Sequence, residues 1–415
     1  MKILYITQFY PPETGAASVR AYEFSWRWSK AGHDITVLTG FPNYPKGELY
    51  SGFKNKIYKK EKSDKLTIIR VFTYIPKYKN TFSRIINQLI FSLLSIYGGA
   101  KASRPDVIIV TSPPFGIGII GYILSRIWRS RLIFEVRDLF PQSAISFGVL
   151  KNPYLIWSLK IIEQFYYKKS DIVVGVTQGI CDFIQNKGIP REKIRKITNG
   201  VNVELFRKFS SISFRTENKL EDHFIVMYTG IHGRAENLSV LIKAAELLKR
   251  EKQIRFVLVG DGVEKENLIA MVNKSGLTNV IFIDTQPAEK IPYILASADI
   301  CFSSRKNVDV NYGALPVKIF EYMACAKPVI LAIKGEAEAI IRESHAGVCV
   351  DPDDAITLAR MILTLSANKQ RLEEYGKNGR DYVKRFYDRK KLANHYLELI
   401  SEITCQATQD CKSLS

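Results

Sequence analysis

Tyr312-Gly313-Ala314-Leu315-Pro316-Val317-Lys318-Ile319-Phe320-Glu321-Tyr322-Met323-Ala324, continuing through Cys325-Ala326-Lys327-Pro328 to Val329-Ile330-Leu331, is the stretch from which the fold reads. Gly313 and Pro316 break regular structure, Val317 to Cys325 favours a helix, and Lys327-Pro328 ends it before the β-rich run from Val329. The order is loop, helix, strand. A short loop feeding a helix N-terminus leaves backbone N–H groups unpaired, and these suit an anion or a sugar hydroxyl. Lys318 and Glu321 stand three residues apart and point to one face of the first turn. A cation beside a carboxylate there suits a ligand with both phosphates and vicinal hydroxyls; the plain alternative is a surface ion pair.

Upstream, Phe224 to Thr229 reads as a strand, followed by the turn Gly230-Ile231-His232-Gly233-Arg234-Ala235-Glu236-Asn237 and a helix from about Leu238. A glycine-bearing strand-to-helix turn brings backbone N–H groups up to a diphosphate. Arg255 to Val259 is a strand ending in Gly260-Asp261-Gly262, and Val280 to Ile283 another ending in Asp284-Thr285-Gln286-Pro287. Ala298 to Phe302 leads toward Arg305 and the opening stretch. Asp351 to Asp354 invites a metal, but N-capping of the next helix accounts for these residues. Helices from about 367 to 403 close the chain, and the tail 404–415 reads as disordered. Residues 207–222 are polar and charged and read as a linker, so one domain spans 1–206 and a second 207–385.

In the first half, a strand from Ile3 to Phe9, the loop Tyr10-Pro11-Pro12-Glu13-Thr14-Gly15-Ala16, a helix from about Val19 to Ala31 and a strand from His33 to Thr39 open a parallel sheet. The loop lies where ligands bind in doubly wound folds. Arg20 falls in the first helical turn, either solvated or facing a ligand. Asp106 to Ser112 and Leu132 to Val136 are further strands. The second ends in Arg137-Asp138-Leu139-Phe140-Pro141, a charged pair at a strand's C-terminal end that marks a site in such sheets. Asp138 either belongs to such a site, as a carboxylate able to take a proton, or caps the following helix. Asp171 to Thr177 is another strand, and Asn199-Gly200-Val201-Asn202 a turn at the end of the domain. Two successive strand–helix series predict an α/β fold of two Rossmann-like, doubly wound domains.

At 415 residues the chain exceeds one typical core, and 46% hydrophobic with 24% charged residues is an ordinary globular composition. Six scattered cysteines without C-x-x-C spacing argue against a zinc site or a disulfide framework and fit a reduced compartment. The apolar run after Met1-Lys2 is too short for a signal peptide and reads as a first strand. Residues 1–200 hold 30 Lys and Arg against 13 Asp and Glu, or +17 of the total +19. No nucleic-acid-binding pattern accompanies this excess, so nucleic acid is not expected. Ile85, Ile86, Leu89, Ile90, Leu93, Leu94 and Tyr97 recur at helical spacing between Lys77, Lys79 and Arg84 on one side and Lys101 and Arg104 on the other. The run falls short of the roughly 20 apolar residues of a spanning helix. It reads as an interfacial helix, which makes an anionic membrane a partner of the segment from about 65 to 105; a buried interdomain helix is the alternative.

The stretch Leu315-Pro316-x-Lys318-x-Phe320-Glu321-Tyr322-Met323-Ala324 resembles the nucleotide-sugar motif of retaining glycosyltransferases of family 4, which have the GT-B fold, two Rossmann-like domains facing a cleft. It is most similar to a subgroup that builds bacterial colanic acid, O-antigen and capsule and includes N-acetyl-L-fucosamine transferases. The resemblance runs from Ile3 to about Ile400. It makes Glu321 the carboxylate that holds the donor ribose, and Ala314, Leu315, Pro316, Val317 and Lys318 part of the donor site. Gly230, His232, Gly233, Arg234, Gly260, Gly262, Gln286 and Arg305 are the further donor candidates. Thr14, Gly15, Ala16, Arg20, Arg137 and Asp138 become acceptor candidates, with Arg20 positioned to meet an acceptor phosphate and Asp138, Lys318 and Glu321 the catalytic candidates.

Three positions depart from the family pattern. Gly313 stands where the general family has a first Glu, and Ile231 and Glu236 where it has Arg and Lys. The resemblance implies transfer from a nucleoside diphosphate sugar, UDP-linked by preference, to an undecaprenyl-diphosphate-linked saccharide. It implies no metal or other cofactor, a cytoplasmic location on the inner face of the inner membrane, and a last helix, about 386–403, that returns to the first domain. A nucleotide-sugar 2-epimerase and a non-catalytic nucleotide-sugar binder are the competing functions on the same architecture.

Overall fold

Along the first strand, β1 (Lys2–Ile6), Ile3 and Tyr5 point to one face and Leu4 and Ile6 to the other, and all four are buried. Such a strand has to be covered on both sides, which is the condition of a parallel sheet wrapped by helices. The computed structural model describes residues 1–44, 47–75, 81–146, 148–207, 212–307 and 315–413. The chain divides into two units, Met1–Asn199 with Arg389–Ser415, and Gly200–Asp388.

The first unit adds β2 (Asp34–Gly40), β3 (Tyr58–Ser63), β4 (Leu66–Val71), β5 (Val107–Ser112), β6 (Arg131–Val136), β7 (Ile172–Gly175) and β8 (Ile194–Lys196). Their order is β3-β4-β2-β1-β5-β6-β7-β8, parallel except for the β3–β4 hairpin. Its helices are α1 (Ala16–Lys30), α2 (Thr81–Ala100), α3 (Ile117–Trp128), α4 (Gln142–Ser146), α5 (Pro153–Lys169) and α6 (Gln178–Asn186). The second unit holds α7 (Ile212–Glu217), β9 (Phe224–Thr229), α8 (Ser239–Leu247), β10 (Ile254–Val259), α9 (Lys265–Lys274), β11 (Val280–Ile283), α10 (Ile291–Ala296) and β12 (Ile300–Ser304). It continues with α11 (Val317–Ala324), β13 (Val329–Ala332), α12 (Glu336–Ser344), β14 (Gly347–Cys349), α13 (Ala355–Ser366) and α14 (Lys369–Phe386). Its sheet is wholly parallel, in the order β11-β10-β9-β12-β13-β14. The strand order reverses between β1 and β5 in one sheet and between β9 and β12 in the other. Ligands bind at such switch points, beyond the strands' C-terminal ends.

The last helix, α15 (Arg389–Ser413), belongs to the first unit. Ala393, Tyr396, Leu399 and Ile400 join Ile3, Tyr5, Phe24, Trp28, Val37 and Ile109 in one core, and the Trp28 Nε1–H donates to the Ala393 carbonyl at 2.9 Å. Leu4, Ile6, Leu38, Ile108, Val110 and Phe134 form the core on the opposite face, under Phe91 of α2, Ile120 of α3 and Tyr166 of α5.

Several boundaries differ from the sequence reading. The first unit ends at Asn199 rather than 206, because Val201 already pairs with the second unit through its N–H to the Tyr387 carbonyl at 2.9 Å. Residues 212–222 are packed rather than a free linker. Leu220 is buried in the second core, and Arg215 of α7 binds Asp299 at 2.8 Å and the Ser297 carbonyl at 2.7 Å. The tail expected to be disordered from 404 continues α15 as far as Ser413.

Arg20 is the largest departure. It is 1% exposed, not a surface cation facing an acceptor phosphate. α1 begins at Ala16, which turns Arg20 inward onto β6, and there its Nη2 meets Glu135 Oε2 at 2.8 Å. It also donates to the carbonyls of Ile197 and Thr198. Burial would raise the Glu135 carboxyl, but Arg20, Arg137 and Thr111 together hold the group below the ordinary carboxylate range. Thr111 Oγ1 donates to the same carboxylate at 2.8 Å. Glu135→Ala leaves the Arg20 charge buried without its counterion and is expected to destabilise the chain by about 3–5 kcal/mol. Chemical denaturation measures this, and a loss under about 1 kcal/mol would deny the pair that role.

Candidate active site

Gly230, Arg305 and Lys318 among the donor candidates gather at the β9/β12 switch point. Gly230 follows β9 with φ of +132°, and a Cβ there would lie 3.1 Å from Lys318 Nζ. Lys318, in the first turn of α11, thus runs its side chain against bare backbone. Gly260, with φ of +144°, packs so close that a Cβ would meet the Gly230 carbonyl oxygen at 1.9 Å. Two strand-end turns therefore stack backbone on backbone, and only glycine at Gly260 permits it. His232 and Gly262 continue the stack, with the His232 N–H donating to the Asp261 carbonyl at 2.9 Å.

The Lys318 ammonium donates to Tyr228 Oη at 2.6 Å and to Glu236 Oε2 at 2.8 Å. Arg305 Nη2 lies 3.7 Å from Glu236 Oε1, and Arg305 Nε is buried without a hydrogen-bond partner among the described residues. Burial would raise the Glu236 carboxyl; Lys318 and then Arg305 reverse this and leave it below its usual value. Burial also lowers the Lys318 ammonium, which Glu236 partly restores. His232 is fully buried with neither ring nitrogen hydrogen-bonded among the described residues. Desolvation, helped by Lys265, pushes its pKa down to about 4, so the ring is neutral at physiological pH.

Glu321 is half-buried one turn along α11, near enough to support the Lys318 charge. Leu315 and Pro316 are buried and Val317 is half-buried where α11 begins, and no acidic side chain occupies its first turn. Tyr322 pins the helix to β9, its hydroxyl accepting from the Thr229 N–H at 3.1 Å. Gln286 lies at the end of β11, its Nε2 donating to the Asp284 carbonyl at 3.1 Å. Arg234 is not drawn into the cluster. It is largely exposed and pairs with Glu264 at 3.5 Å. Ala314 lies outside the described residues, with Tyr312 and Gly313.

Tyr228 and Glu236 were not among the sequence candidates. Both belong to the cluster because β9 ends and α8 begins on either side of Lys318. The usable signal was Tyr228 as the last-but-one residue of a strand at a switch point.

In the first unit, Thr14 and Ala16 are exposed and Gly15 half-buried at the β1–α1 junction, and Glu13 braces this loop by accepting from the N–H groups of Tyr10, Asn43 and Tyr44. Arg137 and Asp138 follow β6. Arg137 Nη2 lies 3.4 Å from Asn199 Oδ1, and its Nε has no hydrogen-bond partner among the described residues. Asp138 is exposed four residues ahead of α4, too early to be its N-cap. Asp354 does cap α13, accepting from the Thr357 N–H at 2.9 Å. Among the described residues no group of three His, Cys, Asp or Glu side chains could hold a metal ion.

Helix α2 uses one side to cover β2 and β4, with Phe91 fully buried and Leu94 packed against the core, so it is a crossover helix of its own unit. Its other side exposes Ile85, Leu89, Leu93 and Tyr97, four residues apart. The neighbouring α3 exposes Ile119, Ile123 and Ile127, and α5 exposes Tyr154, Leu155, Trp157 and Ile161. Glu163 is the one acidic residue in these three helices; it is buried and paired with Lys187 at 2.5 Å. Among the described residues no helix is long and apolar enough to cross a membrane. Lys77 and Lys79, expected to flank α2, lie outside the described residues.

Two largely parallel sheets, each with a switch point, and a lysine–arginine cluster on stacked glycine turns define an α/β protein of two units. Residues 17–205 match the model of Glycosyltransferase Family 4, and residues 210–382 match that of Glycosyl transferases group 1. The chain belongs to these glycosyltransferases. It is 24% identical over 413 residues, 96% of this chain and 99% of the relative, to a protein of Escherichia coli named as a colanic acid biosynthesis glycosyl transferase, WcaI. It is 22% identical over 253 residues, 60% of this chain and 66% of the relative, to the N-acetylgalactosamine-N,N'-diacetylbacillosaminyl-diphospho-undecaprenol 4-alpha-N-acetylgalactosaminyltransferase of Campylobacter jejuni. Among solved structures, Anabaena HepE in complex with UDP superposes with a TM-score of 0.74 at 18% identity, covering 97% of this chain and 100% of that one. These neighbours are GT-B glycosyltransferases, and the fold here is of that class.

Proposed function

We propose that the protein transfers a sugar, with retention of anomeric configuration, from a UDP-linked donor to a lipid-linked saccharide during assembly of a bacterial surface polysaccharide. The observation that carries this reading is the Lys318–Arg305 cluster seated on the Gly230/Gly260 stack at a switch point. Preorganised cations there stabilise the charge that develops on a departing diphosphate. The printed names of the relatives support the acceptor class, and the UDP complex of a neighbour supports the base. N-acetyl-L-fucosamine is the donor sugar suggested by the motif.

In the proposed step the bond from the anomeric carbon to the diphosphate breaks on the same face on which the acceptor hydroxyl attacks. The leaving diphosphate oxygen takes the hydroxyl proton, so no metal or enzyme nucleophile is required; Asp138 is the alternative proton acceptor. Lys318 and Arg305 hold the diphosphate, Glu321 takes the ribose hydroxyls, and Thr14, Gly15, Ala16, Arg137 and Asp138 face the acceptor. The acid-free apolar surface of α2, α3 and α5 supports a peripheral position on the anionic cytoplasmic leaflet.

The test is turnover of UDP-sugars by the full chain in EDTA, with and without an undecaprenyl-diphosphate-linked saccharide, reading product anomers by NMR. Acceptor-dependent transfer with retention is expected. Epimerised donor formed without acceptor, or an inverted product, would overturn the reading.

A further inference from the structure

Glu236 is a carboxylate placed in what is otherwise an anion site. Its backbone is fixed: the Glu236 carbonyl accepts from Ser304 Oγ at 2.5 Å, and the neighbouring Ala235 carbonyl accepts from the Lys306 N–H at 2.9 Å. The Glu236 side chain is 13% exposed and the Lys318 side chain 14%, so the pair is largely removed from water. Lys318, Arg305 and Glu236 together carry one net positive charge, against two without the carboxylate.

The geometry points to Glu236 as a positioning residue that aims the Lys318 ammonium and, by opposing the charge of a bound nucleoside diphosphate, keeps that product from being held too tightly. This rests on the donor-site reading above. An ammonium has three N–H donors. Among the described residues Tyr228 and Glu236 take two, which leaves the third for a phosphate oxygen and fixes its direction. The Nε of Arg305, buried beside the same carboxylate and without a hydrogen-bond partner among the described residues, is a second donor of this kind. A negative charge a few ångströms from a diphosphate repels it strongly where water is largely excluded. Glu236 therefore trades affinity for alignment and release.

Glu236→Gln keeps an oxygen to accept from Lys318 and removes only the charge. Titration calorimetry with UDP and with GDP should show the variant binding at least fivefold more tightly than wild type, with a steeper loss of affinity as salt is added. Its KM and kcat should fall together, as product leaves more slowly. Lys318→Met is titrated in parallel, and thermal unfolding confirms that both variants are folded. If wild type binds UDP or GDP, Lys318→Met loses that binding, and Glu236→Gln binds no more tightly than wild type, this inference fails while the donor site stands. If wild type binds neither nucleotide, the donor site fails and the inference with it. A Glu236 that merely braces the fold would not tighten binding when neutralised.

Discussion

Removing the Lys318 charge by Lys318→Met is expected to lower kcat/KM for donor by roughly 30- to 150-fold, about 2–3 kcal/mol of charge-assisted hydrogen bonding. The magnitude follows from where the ammonium sits. It lies against the bare backbone of Gly230 and is already desolvated and oriented before ligand arrives. Glu321→Ala should cost at least tenfold at subsaturating donor, seen mainly in KM, since holding ribose hydroxyls is binding shared by ground and transition states. Glu321 is half-buried and the variant should remain folded. Lys318→Met also leaves Glu236 with Arg305 as its remaining cation, so some destabilisation is expected there. Steady-state kinetics with UDP-sugar, paired with denaturation curves, separates the two effects. Wild-type kinetics in both variants would remove α11 from the active site.

The strands of the second unit, β14 apart, were legible to within two residues. Phe224–Thr229 and Val280–Ile283 are continuous apolar runs between turn signals, which is how parallel strands covered on both faces look. The β3–β4 hairpin was not legible. Tyr-Lys-Lys-Glu-Lys-Ser in β3 shows no apolar alternation, because an edge strand with one solvated side needs little. Motif glycines gave the position of the donor turns, but not that Gly260 packs on Gly230, a contact between two different loops. The pairings that define the electrostatics were invisible for the same reason. Arg20 meets a carboxylate 115 residues away, and Lys318 one 82 residues away. Sequence periodicity reports which face of an element is apolar, not what lies across from a charge. Local spacing therefore paired Lys318 with Glu321, whereas its hydrogen-bonded carboxylate is Glu236.

The same limit governed the apolar surface of the first unit, and the structure changes which residues test it. Substituting Ile90 or Leu94 would damage the core side of α2, since both are half-buried and Leu94 packs on the sheet. Leu93, Ile127 and Trp157, from three neighbouring helices, are 64%, 65% and 66% exposed. Inserted at a bilayer interface, each contributes about 1 kcal/mol, less than full burial would give because insertion is partial. The triple change to serine should therefore weaken binding to phosphatidylglycerol vesicles by about 3 kcal/mol, more than a hundredfold, with no loss of thermal stability. Exposed Lys101, Arg126, Arg129, Lys151 and Lys160 surround these helices without an exposed acid on them, so wild-type binding should also fall with salt and be weak on phosphatidylcholine. Co-sedimentation with vesicles measures all of this. Undiminished binding by the triple variant would show that the lipid contact lies elsewhere. A wild type that ignores vesicles but self-associates through this face would make it a contact between copies. A membrane docked here would bring lipid to the unit whose strand ends carry Thr14, Gly15, Arg137 and Asp138, so the triple variant should lose transfer to a lipid-borne acceptor in vesicles while retaining it toward a detergent-solubilised one.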